Sequence, residues 1–291
     1  MEHVADRLIE AIRSRKTPLC VGLDPRWESL PLEIRRRHWP TELGRGRAFE
    51  EFGARLIDVI APAAGVLKPQ CAFFEAIGPA GCEALRQLLA RARQRGLFTI
   101  LDAKRNDIAS TAEAYAEMAF SFYNADRLTV NPYLGRDSIE PFLKVGRQRR
   151  RGLFVLVRTS NPGAGQFQDL RCQDQPLHVH VARAVEAWSR ENLGRHGFGD
   201  VGAVVGATSP AELSALREVM PSAYFLVPGY GAQGGTAEDV RGGFRADGLG
   251  AIVNSARAIN FPFPPDAADW ESQVEAAAHK AARELGQLYF R

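Results

Sequence analysis

Residues 98–122 read FTILDAKRNDIASTAEAYAEMAFSF. The first part, Phe98–Lys104, is a short run rich in apolar and β-branched residues that ends on charges. The second, Ser110–Phe122, carries a helical pattern, with Ser110 as a candidate N-cap ahead of Glu113 in the first turn. A strand that passes directly into a helix is half of a βαβ unit, the building block of a parallel sheet.

The same pairing recurs on both sides of this stretch. Strand-like runs fall at Leu19–Asp24, Val66–Gln70, Leu128–Pro132, Leu153–Thr159, Ala203–Ala207, Tyr224–Val227 and Ala251–Asn254. Helical patterns follow at roughly Ala48–Ala61, Pro79–Arg95, Ser138–Arg150, Pro176–Asn192, Pro210–Val219, Ala237–Phe244 and Asp269–Leu288. Ser209-Pro210 pairs an N-cap with proline at the first helical position. Eight strand–helix repeats predict an α/β fold of the (β/α)8 TIM-barrel type, with an open doubly wound sheet as the alternative. No Ser/Gly-rich linker interrupts the 291 residues, so residues 1–291 are expected to form a single domain.

Composition narrows the function classes. Apolar residues at 45% and charged residues at 24% are the balance of a globular chain, not a disordered one. The net charge of +3 is small, and the densest basic run, Arg147 to Arg151, has no interleaved aromatics, so no nucleic-acid partner is expected. That run, like Arg35–Arg37, reads as a solvated helix end. Cys20, Cys71, Cys82 and Cys172 form no CxxC pair and read as free thiols in a reducing cytoplasm. The N-terminal MEHVADRLIEAIRSRKT has an amphipathic helical pattern, unlike a secretory signal, and no apolar run approaches membrane-spanning length.

The charges at residues 102–107 are the strongest chemical signal. Asp102 and Lys104 are two apart on a strand, so both face the same way, which in a barrel is the interior mouth; Asp107 follows in the loop. Charges buried there must pair with one another or with a ligand. A structural salt bridge explains these three residues as well as a functional site does. Lys68 at the end of VLKPQ and Asp24 at the end of CVGLDP add two more charges on the neighbouring strands, which tips the reading towards a site in which Lys104 is a cationic proton donor.

At the other side of the expected barrel, VPGYGAQGG (227–235) supplies Gly229, Gly231, Gly234 and Gly235, which let backbone N–H groups approach an anion. Arg257, in VNSARAI, offers a planar fork to a phosphate, and barrels often bind phosphate with the loops after strands seven and eight. RTSNPGAG adds Ser160 and Asn161, suited to a base edge but also ordinary turn residues. His178 and His180 alternate, yet no carboxylate or cysteine spacing supports a metal pair, and they read as surface or helix-entry residues.

Taken in order, GLDP, LKPQ, LDAKRNDIxxT, TSNPG, PGYGAQGG and SAR resemble the orotidine 5′-phosphate decarboxylase family over nearly the whole chain, most closely its longer bacterial branch. The D-x-K-x-x-D element belongs to a wider superfamily, but its combination with the glycine-rich loop and Arg257 is specific. The resemblance implies metal-free, cofactor-free decarboxylation of orotidine 5′-monophosphate to UMP and CO2 in de novo pyrimidine biosynthesis. It implies that Lys104 protonates C6, that Asp102 lies beside the departing carboxylate, and that Lys68 and Asp24 belong to the charged network and touch the ribose. It further implies that Ser160 reads the pyrimidine edge and that Gln233, Gly234 and Arg257 hold the phosphate. Asp107 and Thr111 match residues lent to the neighbouring active site of a homodimer. Many relatives have glycine where this chain has Asn106; asparagine tolerates left-handed angles, so the loop is expected to keep its course. The phosphate-side lid is expected within Gly163–Pro176.

Two rivals follow from the same residues. A Mg2+-dependent sugar-phosphate lyase or aldolase shares D-x-K-x-x-D, but it would need an acidic metal ligand where Lys68 stands. A barrel that binds a phosphorylated ligand without chemistry is the non-enzymatic alternative.

Overall fold

The computed structural model describes residues 2–206, 210–230 and 236–289, with side chains to 287. Eight parallel strands close on themselves: β1 Leu19–Leu23, β2 Val66–Pro69, β3 Phe98–Arg105, β4 Arg127–Val130, β5 Gly152–Arg158, β6 Val201–Val205, β7 Phe225–Val227 and β8 Ala251–Ser255. β1 pairs with β8 through Leu19↔Val253, which closes the ring and rules out the open doubly wound sheet. The principal helices are α1 Val4–Arg15, α2 Glu42–Ile60, α3 Pro79–Gln94, α4 Ala109–Glu117, α5 Arg136–Gln148, α6 Leu177–Arg190, α7 Pro210–Val219 and α8 Trp270–Tyr289.

Strand alternation sorts the apolar residues into two clusters. Cys20, Val66, Phe98, Ile100, Phe154, Val204, Leu226 and Ile252 pack together in the barrel interior, whereas their strand neighbours Val21, Leu67, Leu101, Val155, Ala203, Val227 and Val253 pack outwards against the helices. Both faces of a parallel sheet are thereby buried, which is why the strands read as nearly continuous apolar runs. The interior cluster also contains Val4, Ala5, Leu8, Ile9 and Ile12 of α1. The amphipathic helix seen at the N-terminus therefore closes the bottom of the barrel. Two residues beyond Val66, Ile100 and Ile252, the same inward positions are Lys68, Asp102 and Asn254. The interior is thus apolar below and polar at the C-terminal mouth, where barrel sites form.

Three local expectations change. The helix expected over Ala237–Phe244 is only a 3-10 turn, Arg241–Gly243: Gly242 and Gly243 favour helix poorly, and a Cβ on Gly242 would meet Ser214 Oγ of α7 at 2.1 Å. Ser110 is not an N-cap, because α4 begins at Ala109 after Ile108 with no side-chain cap. Pro210 does open α7, whereas Ser209 lies outside the described residues. The basic run Arg147–Arg151 is not a merely solvated helix end. Arg147 Nε lies 2.8 Å from the buried Asp200, and Arg151 pairs with the buried Asp126. No helix among the described residues is long and apolar enough to cross a membrane.

Candidate active site

Asp102 is the hub of the mouth. Its Oδ2 accepts from Lys68 Nζ at 2.5 Å and its Oδ1 accepts from Lys104 Nζ at 2.6 Å and from Thr129 Oγ1 at 2.9 Å. Side-chain exposure is 7% for Lys68, 8% for Asp102 and 44% for Lys104, so only Lys104 presents its ammonium to the open mouth. Burial alone would raise the Asp102 carboxyl, but Lys68 and Lys104 outweigh it and hold it well below its ordinary range. Burial would likewise lower the Lys68 ammonium, but Asp102 and Asp24 hold it above its usual value. The Asp102–Lys68 pair is therefore held in its ionised form through neutral pH.

Thr129, which the sequence did not single out, sets the geometry. The β3–β4 register shifts between Leu101 and Arg105, and Lys104 takes a left-handed φ of 48°. Across this bulge Thr129 Oγ1 accepts from both the Ala103 and the Lys104 N–H at 2.9 Å. Simple alternation would have placed Lys104 on the inward face; the bulge instead re-aims it while keeping its tip on Asp102. The left-handed residues of this stretch are Lys104 and Ala109; Asn106 is not one of them, so its tolerance of such angles is not called on.

Asp24 follows β1. Its N–H donates to Asn260 Oδ1 at 2.9 Å, and its own Oδ1 is buried without a hydrogen-bond partner among the described residues. Burial lifts its carboxyl above the ordinary value, partly offset by Lys68. Asp24 also lines a cavity of about 550 Å³ with Arg26, Gly229, Tyr230, Asn254 and Arg257. That volume suits a nucleotide-sized ligand. Asp24 thus joins the charged network to a pocket with two guanidinium groups, one of which was not anticipated. Arg257 is exposed at the start of a short helix, Arg257–Asn260. Gln233 and Gly234 lie outside the described residues.

Ser160 sits just past β5, close to Gly206 after β6, where an added Cβ would meet Ser160 Cβ at 3.0 Å. Asp107 and Thr111 lie beyond β3, with Thr111 exposed and Asp107 Oδ1 accepting from the Ile108 N–H at 2.8 Å. No hydrogen bond or ion pair joins Asp107 to Lys68, Asp102 or Lys104 among the described residues.

His178 stands at the entry of α6, one of the two places expected for it, but it is not a surface residue. It is 6% exposed, and Asp169 and Glu212 each approach its ring to 3.5 Å. Folding supplies the carboxylates that sequence spacing did not reveal. Arg158 already donates to both, to Asp169 at 3.1 Å and to Glu212 at 3.2 Å, so a guanidinium occupies the charge balance a cation would need. His180, in contrast, is only partly buried at the start of α6, with Nε2 2.9 Å from the Cys172 carbonyl. The stretch Gly163–Pro176, where a lid is expected, holds a short helix, Gly165–Gln168, and a ladder of Arg171–Cys172 with Gln175–Pro176.

A closed barrel with a Lys–Asp–Lys network at its strand ends, beside an arginine-bearing pocket between β7, β8 and β1, has the architecture of a (β/α)8 enzyme with a polar site at its C-terminal mouth. The model of the orotidine 5′-phosphate decarboxylase / HUMPS family matches residues 17–266. An orotidine 5′-phosphate decarboxylase from Rhodopirellula baltica is 44% identical over 300 aligned residues, covering 98% of this chain and 99% of its own. One from Halobacterium salinarum is 43% identical, covering 94% and 93%. The solved structure of Leishmania donovani OMP decarboxylase superposes with a TM-score of 0.79 at 36% identity, over 99% of both chains. The chain belongs to the orotidine 5′-phosphate decarboxylase / HUMPS family.

Proposed function

We propose that this protein converts orotidine 5′-monophosphate to UMP and CO2 in pyrimidine biosynthesis. The observation that carries the reading is a buried Asp102 carboxylate held between Lys68 and Lys104, with only the Lys104 ammonium facing the open mouth. When the C6–carboxylate bond breaks, its electron pair stays on C6; Lys104 stabilises that charge and then donates a proton to it. Asp102 lies beside the departing carboxylate, and Asp24 Oδ1, which has no hydrogen-bond partner among the described residues, accepts from a ribose hydroxyl, with Lys68 alongside. Arg257, together with Gln233 and Gly234, holds the phosphate, whose binding energy is spent far from the breaking bond. Ser160 reads the pyrimidine edge.

The Mg2+-dependent rival is disfavoured by charge: Lys68 occupies the end of β2 and is already committed to Asp102, so a divalent cation there would meet an ammonium. We take residues 1–291 as one catalytic domain. We place the protein in the cytoplasm, on the ground that Cys20, Cys71, Cys82 and Cys172 are free thiols. It acts as a homodimer in which Asp107 and Thr111 complete the partner's site. Support comes from Ile108, next to Asp107 in the chain, and from Tyr133 and Leu134, which follow the neighbouring strand β4, apolar side chains left 53%, 83% and 47% exposed.

The test is to mix the protein with orotidine 5′-monophosphate in EDTA and follow loss of the substrate's ultraviolet absorbance. Turnover is expected. Tight binding without spectral change would select a non-catalytic binder, and strict Mg2+ dependence would select the lyase or aldolase.

A further inference from the structure

Ser160 is held from two sides. On the barrel side it backs onto Gly206, whose N–H donates to the Arg158 carbonyl at 2.8 Å, and where any side chain would crowd Ser160. On the loop side, both residues flanking Ser160 are tied to a single side chain eight positions further on. Gln168 Oε1 accepts from the Thr159 N–H at 2.9 Å, and Gln168 Nε2 donates to Thr159 Oγ1 at 2.8 Å. Thr159 Oγ1 in turn donates a hydrogen bond to Asn161 Oδ1 at 2.6 Å. The amide of Gln168 thus satisfies the main chain on one side of Ser160 directly and orients the side chain on the other through one hydroxyl.

Gln168 is itself anchored. Its Oε1 also accepts from Arg158 Nη1 at 3.3 Å, and its carbonyl lies 2.9 Å from His178 Nδ1. Arg158 in turn donates to Glu212 and Asp169. A polar assembly of this kind, with each member serving another, fixes a loop far more tightly than the turn residues of TSNPG do alone.

We infer that Gln168 is a positioning residue for the decarboxylation, acting through Ser160 to fix the group that recognises the pyrimidine edge. The inference rests on the decarboxylase reading above. It also assigns a role to the segment after β5: its short helix carries the clamp that aims Ser160.

The experiment compares kcat/KM for orotidine 5′-monophosphate, and the Kd for UMP, across wild type, Gln168→Ala, Gln168→Glu, Ser160→Ala and the Ser160→Ala/Gln168→Ala double variant. Gln168→Ala should lower kcat/KM by roughly tenfold to a hundredfold, the range for a displaced recognition group. Gln168→Glu keeps an acceptor for the Thr159 N–H and for Arg158 but loses the donor to Thr159 Oγ1, and should recover only part of the loss. The double variant should lie within about twofold of Ser160→Ala alone, since residues acting through one another are not additive. A Gln168→Ala enzyme with wild-type kcat/KM, or a loss that multiplies in full onto that of Ser160→Ala, overturns the inference. If Gln168→Ala does not fold, Thr159→Val cuts the same clamp and must show the same non-additivity with Ser160→Ala. A wild type that binds UMP without turnover sinks the decarboxylase reading instead, and the UMP affinities of the same set then decide the clamp by the same pattern.

Discussion

Thr129→Val is a sharp test of how the site is built. Valine nearly matches threonine in shape, so the substitution changes little volume at a residue that is 1% exposed, and its cost lies in the lost hydroxyl. What it removes is the hydroxyl that accepts from the Ala103 and Lys104 N–H groups and donates to Asp102 Oδ1, each at 2.9 Å. Two neutral hydrogen bonds at about 1 kcal/mol each and one to a carboxylate at about 2 kcal/mol come to about 4 kcal/mol. Water at the open rim replaces part of this, so a net loss of about 2 kcal/mol is expected, a fall in Tm of roughly 3–4 °C for a chain of this size. The larger effect is on chemistry. Lys104 holds a left-handed φ of 48°, a conformation that costs about 1–2 kcal/mol in a non-glycine residue and persists only while its N–H is fixed. Released, the backbone relaxes and the ammonium moves away from its aim, so kcat should fall by roughly tenfold to a hundredfold. KM should change little, because Arg257 lies across the mouth from the bulge. Melting by circular dichroism and steady-state absorbance kinetics read both effects. A lowered Tm with kcat within about twofold of wild type would refute the reasoning, since Thr129 would then support the fold without aiming Lys104.

Other predictions follow from charge and assembly. Asp102 has a depressed folded-state pKa, so its stabilisation is present above its unfolded value of about 3.9 and is lost as pH falls through the folded value. Lys68 is raised, so its share is present below about 10.4 and is lost as pH rises through the folded value. The gap in Tm between wild type and Asp102→Asn should therefore be widest between those limits and narrow in acid; a gap independent of pH would contradict the ionised network. Asp24 works in the opposite sense, because its raised pKa relieves the protein as it protonates. If sites are shared between protomers, mixing and re-annealing inactive Lys104→Ala and Asp107→Ala chains should restore activity, because one site of each hybrid regains both groups. No recovery alongside demonstrated hybrid formation, or a fully active monomer in sedimentation, would argue against sharing.

Much of the fold was legible because strand alternation is a simple period. Val66 and Ile100 face inwards, and counting two residues on from each reaches Lys68 and Asp102 at the mouth. Closure was less legible, since pairing of β1 with β8 is a contact between residues 19–21 and 253–255 that no local pattern encodes. Thr129 was within reach of the same counting, because Arg127 and Thr129 alternate with the outward-packed Leu128 and Val130. It was passed over because a threonine in LTV reads as an ordinary strand residue. The bulge was not readable: a two-residue shift in register leaves no compositional mark, and the left-handed position fell on Lys104, a residue type with no preference for it. His178 shows the same limit, since its carboxylate neighbours Asp169 and Glu212 come from different segments and meet only through folding.

The central claim, that the Lys104 ammonium stabilises and protonates C6, is tested most directly by the turnover of Lys104→Ala at saturating orotidine 5′-monophosphate. A fall of about a thousandfold or more in kcat is expected, with the melting temperature and UMP affinity largely kept. Turnover close to that of the wild type would contradict it.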